Sequence, residues 1–302
     1  MPAEQTDPVA PVLRCEGLSL EVQLRGGRRK QALQILEDVN IDLAPHELAC
    51  VLGPSGCGKS TILNAVAGFG LPGKLNGRVT IGGEPRLPYH PGLGYMVQHD
   101  TLLPWRTVRQ NVALALRLRA DADGRGLQGS VREALEAVGL GGFENVYPHQ
   151  LSGGMRKRAQ LAQALAQNPS ILLMDEPFGA LDFFTKLEMH QVFLRRWEEA
   201  SSAVLFVTHD LQEAIMLADR IVVLKSRPAT VIADVKVPFP RPRDHRALVG
   251  EPAYREIYES LWNDLSLDGS GPFGSVVEER TGQVDAPPAI PKARDALSRR
   301  RS

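Results

Sequence analysis

The stretch from Gly53 to Ser60, GPSGCGKS, constrains the fold more than any other part of this 302-residue chain, because it matches the pattern G-x-x-x-x-G-K-[ST]. The continuous apolar run before it, residues 48–52, indicates a strand buried on both faces. The residues after it, 59–67, have helical spacing and are followed by Gly68. A glycine-rich turn in this position directs successive backbone N–H groups toward phosphate oxygens. The sequence therefore predicts a loop that binds the phosphates of a nucleotide.

The lysine and the hydroxyl group at the end of this loop have separate expected roles. Lys59 neutralises charge on the β- and γ-phosphates, and Ser60 ligates Mg²⁺. A strand-to-helix turn that binds no ligand is the alternative, but such a turn needs neither side chain. The predicted phosphate-binding residues are Gly53, Pro54, Ser55, Gly56, Cys57, Gly58, Lys59, Ser60 and Thr61.

Two adjacent acids follow a second buried strand, residues 171–174. Asp175 continues the strand and is expected to hold Mg²⁺ through water. Glu176 is displaced into the turn, where it can orient and deprotonate the attacking water. A pair of acids at a strand end also serves as a simple structural cap, and the phosphate-binding loop is what favours the catalytic interpretation.

Further buried strands, residues 203–207 and 221–224, alternate with helical stretches at 155–167 and 211–218. This alternation predicts an α/β P-loop NTPase core with a parallel sheet. Residues 13–24 and 78–81 indicate short strands joined by turns, hence a small antiparallel β subdomain. Between about 99 and 165 the leucine-, alanine- and arginine-rich sequence predicts a helical subdomain.

The predicted domain boundaries follow changes in composition. We expect an N-terminal extension at 1–12, the NTPase domain at 13–237, and a C-terminal extension at 238–268 with one helix near 254–265. Residues 269–302 are rich in glycine, proline and charge and are expected to be disordered.

Composition excludes several classes of protein. Lys plus Arg, 35, equal Asp plus Glu, 35, so the chain has no net field that would recruit nucleic acid. Its three cysteines form no C-x-x-C pair, which favours a reducing compartment. No apolar run approaches the roughly 18 residues of a membrane helix, and residues 1–11 lack the pattern of a secretory signal. We therefore expect the chain to stay in the cytosol.

A second anion site is predicted where Ser152, Gly153 and Gly154 precede the helix near 155–167. Because the chain already has one phosphate-binding loop, this second site is expected to serve the nucleotide of a neighbouring subunit. The segment resembles the signature motif of ABC transporter ATPases, which usually has Gln where this chain has Met155.

Other motifs resemble the same family in order and spacing over about three quarters of the chain. Gln98 resembles the family residue that senses Mg²⁺ or water and joins the core to the helical subdomain. Asp182 resembles the loop residue that crosses the dimer interface. His209, which alone would suit an ordinary turn, resembles the switch histidine that contacts the γ-phosphate. The resemblance thus implies catalytic roles for Lys59, Gln98, Glu176 and His209, and metal ligation by Ser60, Gln98 and Asp175.

The sequence departs from the family at the position that is expected to contact adenine. The family usually stacks an aromatic residue of the first hairpin on the base, but residues 18–23 contain none, and Val22 occupies the expected position. Met155 in place of Gln is expected to leave the anion site intact, because Ser152 and the glycines supply the phosphate contacts.

Residues 98–108, 154–158 and 174–182 resemble the ATPase subunits of importers for nitrate, sulfonates, taurine and related compounds. The resemblance implies ATP and Mg²⁺ as cofactors, a homodimer, integral-membrane permease subunits as partners, and a substrate-binding protein as an indirect partner. It implies a peripheral position on the cytoplasmic face of the inner membrane and no nucleic-acid partner. The alternative is a soluble ABC-type ATPase acting on nucleic acid or ribosomes, which typically has two cassettes or a long coiled-coil insertion.

Overall fold

The computed structural model describes residues 10–24, 31–88, 90–117, 127–200, 202–226 and 228–266. The predicted tail, 269–302, and most of the N-terminal extension lie outside these residues.

A six-stranded sheet forms the centre of the fold, in the order β10-β9-β3-β8-β7-β6. All neighbours are parallel except β10, which pairs antiparallel with β9. Its strands are β3 (Leu48–Leu52), β6 (Leu93–Met96), β7 (Ile171–Asp175), β8 (Ala203–Thr208), β9 (Arg220–Leu224) and β10 (Val231–Lys236). Every residue of β3, β7 and β8 is buried, as the continuous apolar runs predict.

A second, antiparallel sheet has the order β2-β1-β4-β5, from β1 (Leu13–Leu24), β2 (Gln31–Leu43), β4 (Lys74–Ile81) and β5 (Glu84–Pro85). The expectation of short strands joined by turns differs from the structure, because β1 is one strand of 12 residues. Register shifts around Gly17 interrupt its pairing with both neighbours. Such bulges bend a strand without ending it.

The helices lie on both faces of the central sheet. They are α1 (Lys59–Ala67), α2 (Val108–Arg117), α3 (Leu127–Ala137), α4 (Gly153–Ala166), α5 (Phe183–Glu199), α6 (Leu211–Leu217), α7 (His245–Val249) and α8 (Pro252–Ser266). The helices α2, α3 and α4 pack against one another, in the segment where a helical subdomain is expected. The last helix, α8, packs against α6 and β9.

The two faces of the sheet belong to two hydrophobic clusters. Leu48, Cys50 and Leu52 of β3 face a cluster with residues of α2 to α6 and α8. Ala49 and Val51 face the other cluster, which contains α1 and the antiparallel sheet. Strand residues alternate between faces, so both layers are held by the same strands. Among the described residues, no helix is long and apolar enough to cross a membrane.

Candidate functional site

Four neighbouring strands of the central sheet, β3, β8, β7 and β6, bring part of the predicted site to one edge. The loop 53–58 follows β3, and His209 follows β8. Asp175 and Glu176 lie at the end of β7, and Gln98 lies shortly after β6. Parallel strands present their carboxyl ends at a common edge, where ligands of such sheets bind.

The glycine-rich loop has a backbone that other residues would adopt only under strain. Gly56 (φ 75°) and Gly58 (φ 115°) are both left-handed. A Cβ atom on Gly58 would also lie 3.0 Å from Leu36 Cδ2 of the antiparallel sheet. The two glycines therefore allow the loop to curl and to pack closely against β2.

Lys59 lies inside the curl of this loop. Its Nζ donates hydrogen bonds to the carbonyl oxygens of Gly53, at 2.8 Å, and Pro54, at 2.9 Å. Although it carries a charge, the residue is only 5% exposed. Because these bonds hold the ammonium group within the loop, its charge is available to an anion bound there.

The hydroxyl of Ser60 reaches the second predicted half of the site. Its Oγ donates to Asp175 Oδ1 at 3.0 Å. Burial raises the pKa of Asp175 and Glu176 adds to this, while the Ser60 hydrogen bond and the charges of Lys59 and Lys157 oppose it. The described residues contain no group of three or more His, Cys, Asp or Glu side chains that could hold a metal alone. The Ser60–Asp175 pair instead fits Mg²⁺, which is commonly bound by one or two protein oxygens together with substrate phosphates and water.

Glu176 is held at both carboxylate oxygens. Gln98 Nε2 donates to Oε2 at 3.0 Å, and His209 Nδ1 lies 3.0 Å from Oε1. The backbone N–H of Glu176 donates to Val207 O at 3.1 Å. Three predicted residues from three different loops are thus in direct contact at one carboxylate.

The amino terminus of α4 is capped by Ser152, and the helix begins at Gly153 rather than at the predicted residue 155. Ser152 Oγ accepts a hydrogen bond from Met155 N at 3.2 Å, and Ser152 and Gly153 are exposed. In the described part of the chain, no hydrogen bond or ion pair joins Ser152, Gly153, Gly154, Asp182 or Val22 to the cluster at Glu176. Asp182 caps α5 by accepting a hydrogen bond from Thr185 N. Hydrogen bonds from the side chain and the backbone of Thr185 lower the pKa of Asp182. Val22 is half-buried in β1.

Sequence reasoning missed three side chains of α4 that hold the segment after Gln98. Lys157 Nζ donates to the backbone carbonyl of Gln98, Gln160 Nε2 to His99 O at 3.0 Å, and Arg156 Nε pairs with Asp100 at 2.9 Å. Burial lowers the pKa of Lys157, although the nearby carboxylates of Asp100, Asp175 and Glu176 oppose this. The basic run 156–158 was visible in the sequence, but these partners of Arg156 and Lys157 lie about sixty residues away.

A second missed contact joins α5 to the loop of His209. Lys186 Nζ pairs with Asp210 Oδ2 at 2.8 Å. Asp210 also caps α6, accepting from Glu213 N at 3.2 Å. Because Lys186 lies in the first turn of α5, this pair connects the segment after Asp182 with the residue after His209.

Comparison with known proteins agrees with this geometry. A family described as ABC transporter matches residues 36–179, a range that includes the glycine-rich loop, Gln98, Ser152 and Glu176 but ends before Asp182 and His209. The nitrate import ATP-binding protein NrtD of Synechococcus elongatus is 43% identical over 224 residues, which cover 74% of this chain and 81% of that protein. The aliphatic sulfonates import ATP-binding protein SsuB of Bacillus cereus is 40% identical over 216 residues, covering 71% and 84%.

A solved structure is similar over a comparable share of the chain. It is the dimeric post-hydrolysis state of the ATP-binding cassette MJ0796 bound to ADP and Pi. The TM-score is 0.64 and the identity 28%, and the match covers 76% of this chain and 100% of that one.

Proposed function

This chain belongs to the ABC transporter family of ATP-binding proteins and hydrolyses ATP, and from that premise we propose that it is the ATPase subunit of a membrane importer. The observation that carries the catalytic assignment is the Glu176 carboxylate, held between Gln98 and His209 next to the Ser60–Asp175 pair. A small compound such as nitrate, a sulfonate or taurine is the transported substrate that the relatives' names support.

The proposed reaction is in-line attack of water on the γ-phosphate of ATP. Glu176 orients the water and accepts its proton as the new P–O bond forms and the bond to ADP breaks, so that ADP and phosphate are released. Lys59 and the loop N–H groups bind the phosphates, and His209 contacts the γ-phosphate. Ser60, Asp175 and Gln98 would hold Mg²⁺, which would neutralise phosphate charge. Positioning and electrostatics therefore account for most of the catalysis.

We further propose that the active form is a head-to-tail homodimer with two composite sites. In each, ATP lies between one subunit's glycine-rich loop and the partner's Ser152, Gly153 and Gly154. The exposure of Ser152 and Gly153 at a capped helix terminus supports this arrangement, as does the dimeric cassette that the chain resembles. Asp182 then lies near the interface.

The proposed partners are integral-membrane permease subunits, which this chain contacts as a peripheral subunit on the cytoplasmic face of the inner membrane. The contact surface is the segment 98–108, where Trp105 is 72% exposed. A large exposed aromatic side chain is the kind of residue that anchors protein interfaces. The substrate-binding protein acts through the permease, so this chain does not contact the transported compound.

Copurification tests this proposal. The tagged chain, isolated from detergent-solubilised membranes of its own host, is expected to carry an integral-membrane subunit. Trp105→Ser should reduce that copurification, whereas Leu87→Ser, which removes another exposed apolar side chain, should not. Recovery with ribosomes, together with ATPase activity stimulated by RNA, would instead support the soluble nucleic-acid or ribosome ATPase.

A further inference from the structure

Two arginines of the C-terminal extension bind the carboxyl end of α6. Arg243 Nη1 donates to the carbonyl oxygens of Ile215, at 2.9 Å, Met216, at 3.3 Å, and Ala218, at 2.7 Å. Arg241 Nη2 donates to Leu217 O at 2.6 Å. The last carbonyls of a helix have no partner within the helix. Here four consecutive carbonyls are bound by two guanidinium groups from outside it.

Burial and charge make this contact more than a surface cap. Arg243 is 8% exposed, and within the described residues its hydrogen bonds all go to backbone carbonyls, including Phe239 O at 3.0 Å. Burial, together with the neighbouring Arg241, lowers the pKa of Arg243 to about 10, while Asp219 opposes this. A positive charge at a helix carboxyl terminus is favourable because it opposes the helix dipole. Leaving the buried guanidinium group without these acceptors would cost free energy of folding.

The opposite end of α6 is hydrogen-bonded to the two residues on either side of His209. Thr208 Oγ1 donates to Glu213 Oε2 at 2.7 Å and accepts from Asp210 N at 3.1 Å. Glu213, in the first turn of α6, is 2% exposed. His209 therefore lies between two residues that the first turn of this helix holds.

The helix α6 has only 7 residues, about two turns, so a displacement of one end displaces the other. We propose that the C-terminal segment 238–266 clamps α6 through Arg241 and Arg243 and thereby positions His209 against Glu176. Arg241 and Arg243 are positioning residues, since neither belongs to the cluster at Glu176. This inference rests on the proposed role of His209 in hydrolysis.

The full-length Arg243→Met variant tests the clamp. Its kcat is expected to fall about tenfold. KM for ATP should be nearly unchanged, because the glycine-rich loop that binds ATP follows β3, whereas α6 follows β8. Amide hydrogen exchange in α6 should become faster. Arg243→Lys should restore part of the activity. Arg241→Met, which frees the Leu217 carbonyl and also breaks the ion pair with Asp219, should lower kcat as well. Arg255→Met is the matched control, because Arg255 is an exposed arginine of the same extension, on α8.

A double-mutant cycle separates this inference from the proposed function. If Arg243 acts through His209, Arg243→Met should cause no further loss in a His209→Ala background. A melting temperature that falls in Arg243→Met while kcat stays unchanged would overturn the positioning role, as would unchanged exchange in α6. If Arg243→Met does not fold, Arg243→Lys and Arg241→Met give the same comparison. Unchanged kcat in His209→Ala alone would refute the role of His209, whereas the exchange data would still report on the clamp.

Discussion

Glu176 has a left-handed backbone, φ 44°, which costs a residue other than glycine about 1–3 kcal/mol. The surrounding bonds maintain this conformation, because its N–H is bound by Val207 and its carboxylate by Gln98 and His209. Strained conformations of this kind concentrate at functional sites. At Glu176 the strain turns the side chain away from the strand that holds Asp175, so the two adjacent acids have different partners.

The residue-scale test of this assignment is Glu176→Gln. The amide keeps the size of the side chain but cannot accept a proton from water, while Lys59, Ser60 and Asp175 are unchanged. We expect ATP binding within about twofold of the parent, turnover reduced by at least about a hundredfold, and accumulation of an ATP-bound dimer. Nucleotide titration, steady-state hydrolysis and size-exclusion chromatography measure the three quantities. Near-normal hydrolysis would remove Glu176 from this role.

Lys157→Met tests the contact between α4 and the Gln98 segment. Because Lys157 binds the Gln98 carbonyl and lies near three carboxylates, its loss should loosen the hydrogen bond from Gln98 to Glu176. We expect kcat to fall about tenfold with ATP affinity unchanged. Arg132→Met, which breaks an exposed ion pair with Glu136 on α3, is the control and should change neither value. Equal losses in both variants would contradict the role of Lys157.

Val22 provides the test of base recognition. Stacking on an aromatic ring is worth about 1 kcal/mol, and about 1.4 kcal/mol corresponds to a factor of ten in affinity. With valine at this position, ATP and GTP are expected to bind within roughly tenfold of each other. Val22→Tyr should tighten ATP, whereas Val22→Leu should not. Strong preference for ATP in the parent, unchanged in Val22→Tyr, would show that another residue contacts the base.

The site residues that sequence analysis identified share a property that the missed ones lack. Asp175 ends a buried strand, His209 directly follows one, and Lys59 follows the short loop after another, so an apolar run in the sequence marks their position. Lys157, Arg241 and Arg243 bind backbone carbonyls that lie about 24 to 59 residues away in the sequence. Every residue has a carbonyl group, so no sequence pattern marks these partners.

At the scale of elements, buried parallel strands were the most predictable. The predicted segments 48–52 and 59–67 coincide with β3 and α1. A continuous apolar run marks β3, and a glycine follows each of the two elements. The helix α5 and the strands β2 and β10 were missed. In β10 intermediate and exposed residues alternate, and in β2 buried residues are spaced irregularly among polar ones. Partial burial and bulged pairing weaken the periodicity on which such predictions depend.

The amino terminus of α6 has a pH dependence that can be measured. Burial alone would raise the pKa of Asp210, but the ion pair with Lys186 and the Glu213 and Gln212 amides outweigh it and lower the pKa. The charged carboxylate of Asp210 therefore stabilises the fold above a pH of about 3.9, the pKa of an aspartate in the unfolded chain. This stabilisation is lost as the pH falls through the lower pKa of Asp210 in the folded chain. Asp210→Asn keeps a cap but removes the charge. The substitution should lower the free energy of unfolding by about 1 kcal/mol at neutral pH and by less below pH 4.

Thermal unfolding of the parent and Asp210→Asn between pH 7 and pH 3 checks this expectation. Asp244→Asn is the control, since Asp244 caps α7 through Ala247 N and is exposed. Its effect should be smaller at neutral pH. A difference between the parent and Asp210→Asn that stays constant over the whole range would contradict the ion-pair contribution.

At the scale of the whole molecule, the proposed function depends on two surfaces of one chain that serve different nucleotides. In this proposal the glycine-rich loop binds the chain's own ATP, whereas Ser152, Gly153 and Gly154 complete the site of the partner. In the isolated chain these residues are exposed or partly exposed, and the helix terminus they form is capped by Ser152 alone. In the proposed dimer, a single chain thus contributes to two sites and completes neither.

Mixing two inactive variants tests this arrangement. Lys59→Ala should abolish phosphate binding, and Ser152→Arg should place charge and bulk where the partner's nucleotide docks, so each variant alone should be inactive. In a mixed dimer, one site has both an intact loop and an intact Ser152. Random exchange makes about half the dimers mixed, so activity should recover to about a quarter of the parent. Two Lys59→Ala samples mixed together are the control. No recovery, despite exchange of subunits, would refute the composite site.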